Sequence, residues 1–398
     1  MKSMKMLAVL IVISGYIAMA EESTEPFVQK TSEIYEGLIS QKQPDIAKLT
    51  LFFRKMPKGG DIHHHYDGSM YAETYLEWVG RKGWYNDTCS FQIVKVRSDD
   101  EICKDLSIPE LMQDSSLYRK VLQRWSTLDY PNGSTLSPDL HFFSTFGYFA
   151  PVFDAYMDEG LQIIKARALK ENISYIESIL SRPDVQGKDY FDANKAEAFD
   201  RALWNVKSQD AVDEILDSIT SSLLNNTSFE ESVSQFVAKV NKSHQGIDDE
   251  AFTMRYQTFA LRLFTPVGVY TELLASYLAA HRSPYIVGVK IVGAENDTVA
   301  LRDYTLHMQM YNYLERRYPN VHRSLHAGEL TLGMVRPEAL RFHVKQALEI
   351  AHAQRVGHGV DLPYEDDSIG LLEALKKNGT VEVNFASNAF TLGVKGKA

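Results

Sequence analysis

Cysteine is almost missing from this chain: its 398 residues hold only Cys89 and Cys103. Positive charge is in deficit too, with 42 Lys and Arg against 52 Asp and Glu, a net charge of −10. Such a chain lacks the basic surface of a general nucleic-acid or anionic-membrane binder. Beyond residue 20 no stretch is apolar enough to cross a bilayer. No glycine-rich phosphate loop follows the first strand-like segment, which argues against an open nucleotide-binding sheet. What remains is ordinary globular material, 44% hydrophobic and 24% charged. It suffices for one large domain with appendages, or for two.

The single apolar run stands at the start. Lys2 and Lys5 precede an apolar core over 7–17, and Ala18-Met19-Ala20 offers small residues ahead of Glu21. This is the pattern of a secretory signal over residues 1–20, too short to serve comfortably as a membrane anchor. The expected localisation is secreted and extracellular. Sequons beginning at Asn86, Asn132, Asn172, Asn225, Asn226, Asn241, Asn296 and Asn378 fit a glycoprotein. Cys89 and Cys103 lie near the turn residues Gly83, Asn86 and Asp87. In an oxidising compartment they are expected to form a disulfide that holds a loop, in preference to free thiols or a metal site.

The rest of the chain is organised around residues 57–68, which read as a short strand entering a glycine turn. Alternation puts His63, His65 and Asp67 on one face, with Ile62, His64 and Tyr66 on the other. Two imidazoles one pleat apart can share a metal ion, and a carboxylate two residues on would stand where a substrate touches it. A histidine-rich surface loop is the bland alternative.

Residues 21–54 read as an N-terminal helical extension, and 69–138, with the cysteine pair, as an insertion folded on itself. An amphipathic helix is expected over 142–169. Strands then alternate with helices: strands over 173–180, 252–263, 285–292, 321–326, 355–358 and 381–385, helices over 193–224, 268–281, 298–318, 337–353 and 368–377. With the first strand that makes seven, a parallel α/β architecture of TIM-type (β/α) barrel form occupying residues 55–398. Reactive side chains recur at the strand ends, in Ser324-Leu325-His326-Ala327-Gly328-Glu329, in Arg355-Val356-Gly357-His358-Gly359 and in the segment 382–388. One Gly-flanked histidine is often a turn residue. Four such strand ends are hard to explain as packing.

These motifs, MPKGGDIHHHYDG, SLHAGE and RVGHG with a looser VEVNFASN, resemble the adenosine deaminase-related growth factor group of secreted adenosine deaminases, within the metal-dependent amidohydrolases. The likeness runs from about Leu51 to Gly393. It implies a Zn²⁺ ion held by His63, His65 and His326, with one position open for water. His358 would stand beside the attacking water as base or electrostatic orienter. Glu329 would protonate the purine ring nitrogen, its pKa raised by its surroundings. Asp67 would hydrogen-bond the ribose side, and the Gly293 N–H would meet the purine. The implied reaction converts adenosine (and 2′-deoxyadenosine) to inosine and ammonia. The implied partners are a second copy of the chain through the N-terminal helices and a cell-surface receptor or glycan.

The chain departs from the family at three places. Lys290 stands where an acidic residue is usual, and Ala386 where proline is more frequent. The family's eighth strand carries an Asp-Asp pair, and residues 389–398 hold none. Asp366-Asp367 precedes a helix and reads as its cap. The expectation is therefore a barrel lacking its eighth strand. That departure motivates two alternatives: a secreted growth-factor-like or nucleoside-binding protein with impaired catalysis, and an amidohydrolase acting on another amine or amide.

Overall fold

The computed structural model describes residues 26–40, 42–130, 136–186 and 190–395. The secretory signal expected over 1–20 and the sequon at Asn132 lie outside the described residues. Two compact units divide the chain: residues up to Gly59 together with Ala168–Ile173, and Gly60–Arg167 together with Ser174 onward.

The first unit holds two helices, 26–39 and Ile46–Lys55. Asp45 caps the second by accepting the Lys48 amide. Tyr35 stacks on Phe52, ring centroids 5.7 Å apart. No residue of Ile46–Lys55 is buried, and Ile46 and Leu51 face outward.

The strands are β1 (Gly59–His65), β2 (Tyr85–Asp87), β3 (Ile93–Val94), β4 (Asp105–Ser107), β5 (Ile173–Ile179), β6 (Thr253–Leu261), β7 (Ile286–Val292), β8 (His322–Ala327), β9 (Arg355–His358) and β10 (Thr380–Glu382). Seven of them, in the order β1-β5-β6-β7-β8-β9-β10, form a parallel, nearly closed barrel surrounded by helices. The TIM-type architecture read from the sequence is thus present. β1 and β10 are its two outer strands. Each helix returns the chain to the same end, so every C-terminal strand end opens on one face. The inner strands are buried on both sides, and Met254, Phe259, Val289, Ile291 and Leu325 show it.

Several expected helices are broken. The segment 142–169 is two helices, Pro138–Phe149 and Met157–Lys170. Pro151 has no amide to continue the ladder, so the first ends there. The segment 193–224 divides into Ala193–Asn205 and Gln209–Leu224, because Ser208 turns its hydroxyl to the Ala211 amide and starts a new helix. A further helix, Thr227–Ser243, is capped by Asn226. The expected helix 337–353 is a 3₁₀ turn, Pro337–Leu340, followed by His343–Glu349. The last strand stops at Glu382, and Phe385–Thr391 is helical. Asp367 caps Ser368–Asn378 by accepting the Gly370 amide, as expected.

Within the insertion, β2 pairs antiparallel with both β3 and β4. The Cys89–Cys103 disulfide ties the end of β2 to the start of β4, with Cα atoms 5.2 Å apart. Reduction should destabilise this subdomain by about 3 kcal/mol, the loop-closure value for a ring of this size. Mass spectrometry finding both thiols free would remove the claim. Asn86 is fully buried and its amide donates to Phe91 O at 3.0 Å, so that sequon is closed to a glycan in the folded chain.

Candidate active site

The strand ends deliver four imidazoles to the floor of a cavity of about 900 Å³. β1 supplies His63 and His65, β8 supplies His326, and β9 ends on His358, whose φ of +73° is rare for a residue with a side chain. Gly357 is needed beside it, because a Cβ there would stand 2.6 Å from His63 Cε1. Ligand atoms of His63, His326 and His358 all lie within 4.8 Å of one another. His65 joins them through its Nε2, 3.2 Å from His326 Nε2, while His63 Nε2 is 2.9 Å from the same atom.

Hydrogen bonds from behind settle which nitrogen carries each proton. His326 Nδ1 is 2.8 Å from Ile291 O, and a carbonyl only accepts, so Nδ1 is the protonated nitrogen. His63 Nδ1 is 2.6 Å from the Glu382 carboxylate and donates to it. Nε2 of both rings then carries a lone pair, and the two lone pairs face each other. Burial, with the nearby Lys290 cation adding to it, holds His63 and His326 well below the usual imidazole range. The same causes bring His65 down to about 3. Neutral imidazoles converging lone pair to lone pair fit a zinc ion between them, with His63 and His326 each backed by an oriented partner.

His358 Nδ1 is 2.8 Å from Asn388 Oδ1, which aims Nε2 at Glu329 Oε1, 3.6 Å away. Burial raises the Glu329 carboxyl; His358 opposes that and the neighbouring Glu295 adds to it. Asp67 also lines the cavity, as does Gly293. Asp67 lies in a short helix, Tyr66–Ser69, and not on the strand as the alternation implied. Burial pushes its carboxyl up to about 6. His64, expected on the opposite face, also borders the cavity and has Nδ1 3.5 Å from Ser178 Oγ.

Sequence reasoning missed what lies beneath. Glu382 receives hydrogen bonds from Lys290 at 2.9 Å and Ser324 at 2.8 Å, besides His63, and forms an ion pair with Arg355 at 2.7 Å. Lys290 is fully buried inside the barrel, pointing at this cluster. Alternation along β10 was the available signal, since it puts Glu382 on the face opposite Val381.

Asp361 is fully buried behind the cavity, and neither of its oxygens has a hydrogen-bond partner among the described residues. Burial, with Glu295 and Glu365 nearby, pushes it up to about 9. The folded state therefore keeps this proton. Stability from the group is full below its unfolded pKa and falls as pH rises towards 9, by roughly 4 kcal/mol at pH 7. Asp361→Asn should flatten the decline of unfolding free energy between acid and neutral pH. Parallel pH profiles for variant and wild type in denaturant titrations would contradict this.

A parallel barrel with a histidine metal site at its C-terminal mouth is the architecture of a metal-dependent hydrolase. Residues 206–398 match the adenosine deaminase family model. The match includes His326, Glu329 and His358. No curated protein matches the chain. Among solved structures it is similar to the arabidopsis N6-mAMP deaminase MAPDA (14% identity, 86% of this chain, 76% of that one, TM-score 0.49). It is also similar to ADAL in complex with IMP (13%, 86% and 75%, 0.49). A third is an amidohydrolase from Burkholderia ambifaria with bound Zn (16%, 83% and 66%, 0.42).

Proposed function

We propose that the chain is a zinc-dependent deaminase of adenosine and 2′-deoxyadenosine. The carrying observation is the convergence of four imidazoles on one point, with a buried Glu329, its carboxyl raised by that burial, beside them. His63, His65 and His326 would hold the ion. Zinc, when bound, supplies an acidified water as nucleophile. His358 Nε2 takes and orients the water proton as its oxygen adds to carbon 6. The Glu329 carboxyl protonates the ring nitrogen; the proton taken by His358 then passes to the amino group, the adduct's hydroxyl proton returns to Glu329, the exocyclic C–N bond breaks, and ammonia leaves. Asp67 bonds the ribose side and the Gly293 N–H meets the purine.

The lining charges favour a nucleoside over a nucleotide. Asp61, Asp67, Asp154 and Asp184 border the cavity. Arg182 is held by Glu272 at 2.8 Å. A 5′-phosphate would meet carboxylates in place of free cations. Purified protein should therefore convert adenosine to inosine with kcat/KM well above that for AMP. Preference for AMP, or no turnover of either, would refute the assignment.

The same reading takes the protein outside the cell, as a member of the adenosine deaminase-related growth factor group. The Cys89–Cys103 bond supports that placement. The outward Ile46 and Leu51 support pairing of two copies through the N-terminal helices, and the insertion offers a surface for a receptor or glycan.

A further inference from the structure

Past β8 the chain turns sharply through Gly328, whose φ is +73°. A Cβ there would stand 2.2 Å from Asp361 Oδ1. This turn joins His326 to Glu329, so its shape sets the position of both. Its backbone groups are satisfied from outside. Arg262 Nη2 donates to His326 O at 2.7 Å, and the Val360 amide donates to Gly328 O at 2.8 Å. Glu295 accepts the Gly328 amide at 3.0 Å on one oxygen and the Glu329 amide at 2.9 Å on the other.

The carboxylate is itself held firmly. His343 Nδ1 donates to it at 2.5 Å, and Arg262 Nη1 stands 3.7 Å away. His343 stacks on Tyr304 at 3.8 Å between centroids, and Tyr304 Oη donates to His343 O. Burial alone would raise Glu295, but Arg262 and the bonds from His343 and the Glu329 amide bring it down to about 2. Both Glu295 and Arg262 are 1% exposed, behind the residues that line the cavity.

We propose that Glu295, braced by Arg262, is a positioning residue that clamps the Gly328–Glu329 backbone and so sets the angle at which Glu329 meets the substrate. The kinetic part of the test rests on the deaminase reading above. A carboxylate offers two acceptors; glutamine offers one acceptor and one donor. In Glu295→Gln one of the two amides faces a donor, and the turn must shift.

Glu295→Gln is expected to lower kcat for adenosine about 10–100-fold, since a displacement of the order of 1 Å suffices for that. KM should change by less than about threefold and zinc per chain should not change. Amide hydrogen exchange at Gly328 and Glu329 should quicken selectively. Glu295→Asp, which keeps the charge but draws it back by one methylene, should show the same split if the glutamine variant does not fold. Unchanged kcat and exchange in the variants would overturn the clamp. So would a joint fall of kcat, zinc content and melting temperature, which marks a merely structural residue. A wild-type chain that turns over no adenosine rejects the deaminase reading instead; amide exchange needs no substrate and then decides the clamp alone.

Discussion

Glu329→Gln should lower kcat for adenosine by about 10²–10⁴-fold, the usual contribution of a general acid, while KM moves far less. An amide keeps the shape of the carboxyl and can still bond the purine, but it has no proton to deliver as the water oxygen adds. Zinc should stay, because Glu329 is not among the proposed ligands. A pH signature accompanies the loss. Burial raises the Glu329 carboxyl above its ordinary value, so the proton persists to higher pH than on a free carboxyl. Activity that needs this proton is present below the raised pKa and declines as pH rises through it. The variant should lack that decline in its residual rate. Near-normal turnover in Glu329→Gln would show that the proton comes from elsewhere.

His326→Ala should lose most bound zinc and, with it, turnover. Its Nε2 sits 2.9 Å from His63 Nε2 and 3.2 Å from His65 Nε2, so it is the ring the other two share. Removing it leaves His63 and His65, and two imidazoles hold the ion far less tightly than three. His63→Ala should behave alike, and additionally strand Glu382 beside Lys290 and Arg355 without its imidazole. His64→Ala is the control and should keep its metal. Zinc per chain, measured by elemental analysis on folded protein, distinguishes these cases. Unchanged zinc in both His326→Ala and His63→Ala would move the metal site elsewhere.

The strand ends were legible because strand periodicity and histidine spacing are local. His63, His65, His326, Glu329 and His358 meet in one cavity as the motifs implied, since parallel strands must deliver their C-terminal ends to one face. Helix boundaries were less legible: Pro151 and Ser208 are single punctuating residues inside long segments, where helical periodicity continues on both sides. Asp67 leaves the strand because the chain enters a helical turn immediately after His65, which alternation alone does not announce. The role of Lys290 was hidden for a different reason. A lysine in a strand normally faces solvent, and only the assembled barrel shows Glu382, from a strand 92 residues away in sequence, meeting it at 2.9 Å. Pairings at that separation depend on closure of the sheet, not on local pattern.

The central claim is that zinc held by the histidine cluster drives adenosine deamination, and one titration tests it most directly. Purified protein is stripped with a chelator, zinc is returned in steps, and adenosine turnover is measured beside zinc per chain. Turnover should be absent in the stripped protein and rise in proportion to zinc, reaching its plateau at one ion per chain. Full turnover without metal, or a fully loaded chain that leaves adenosine untouched, would contradict the account.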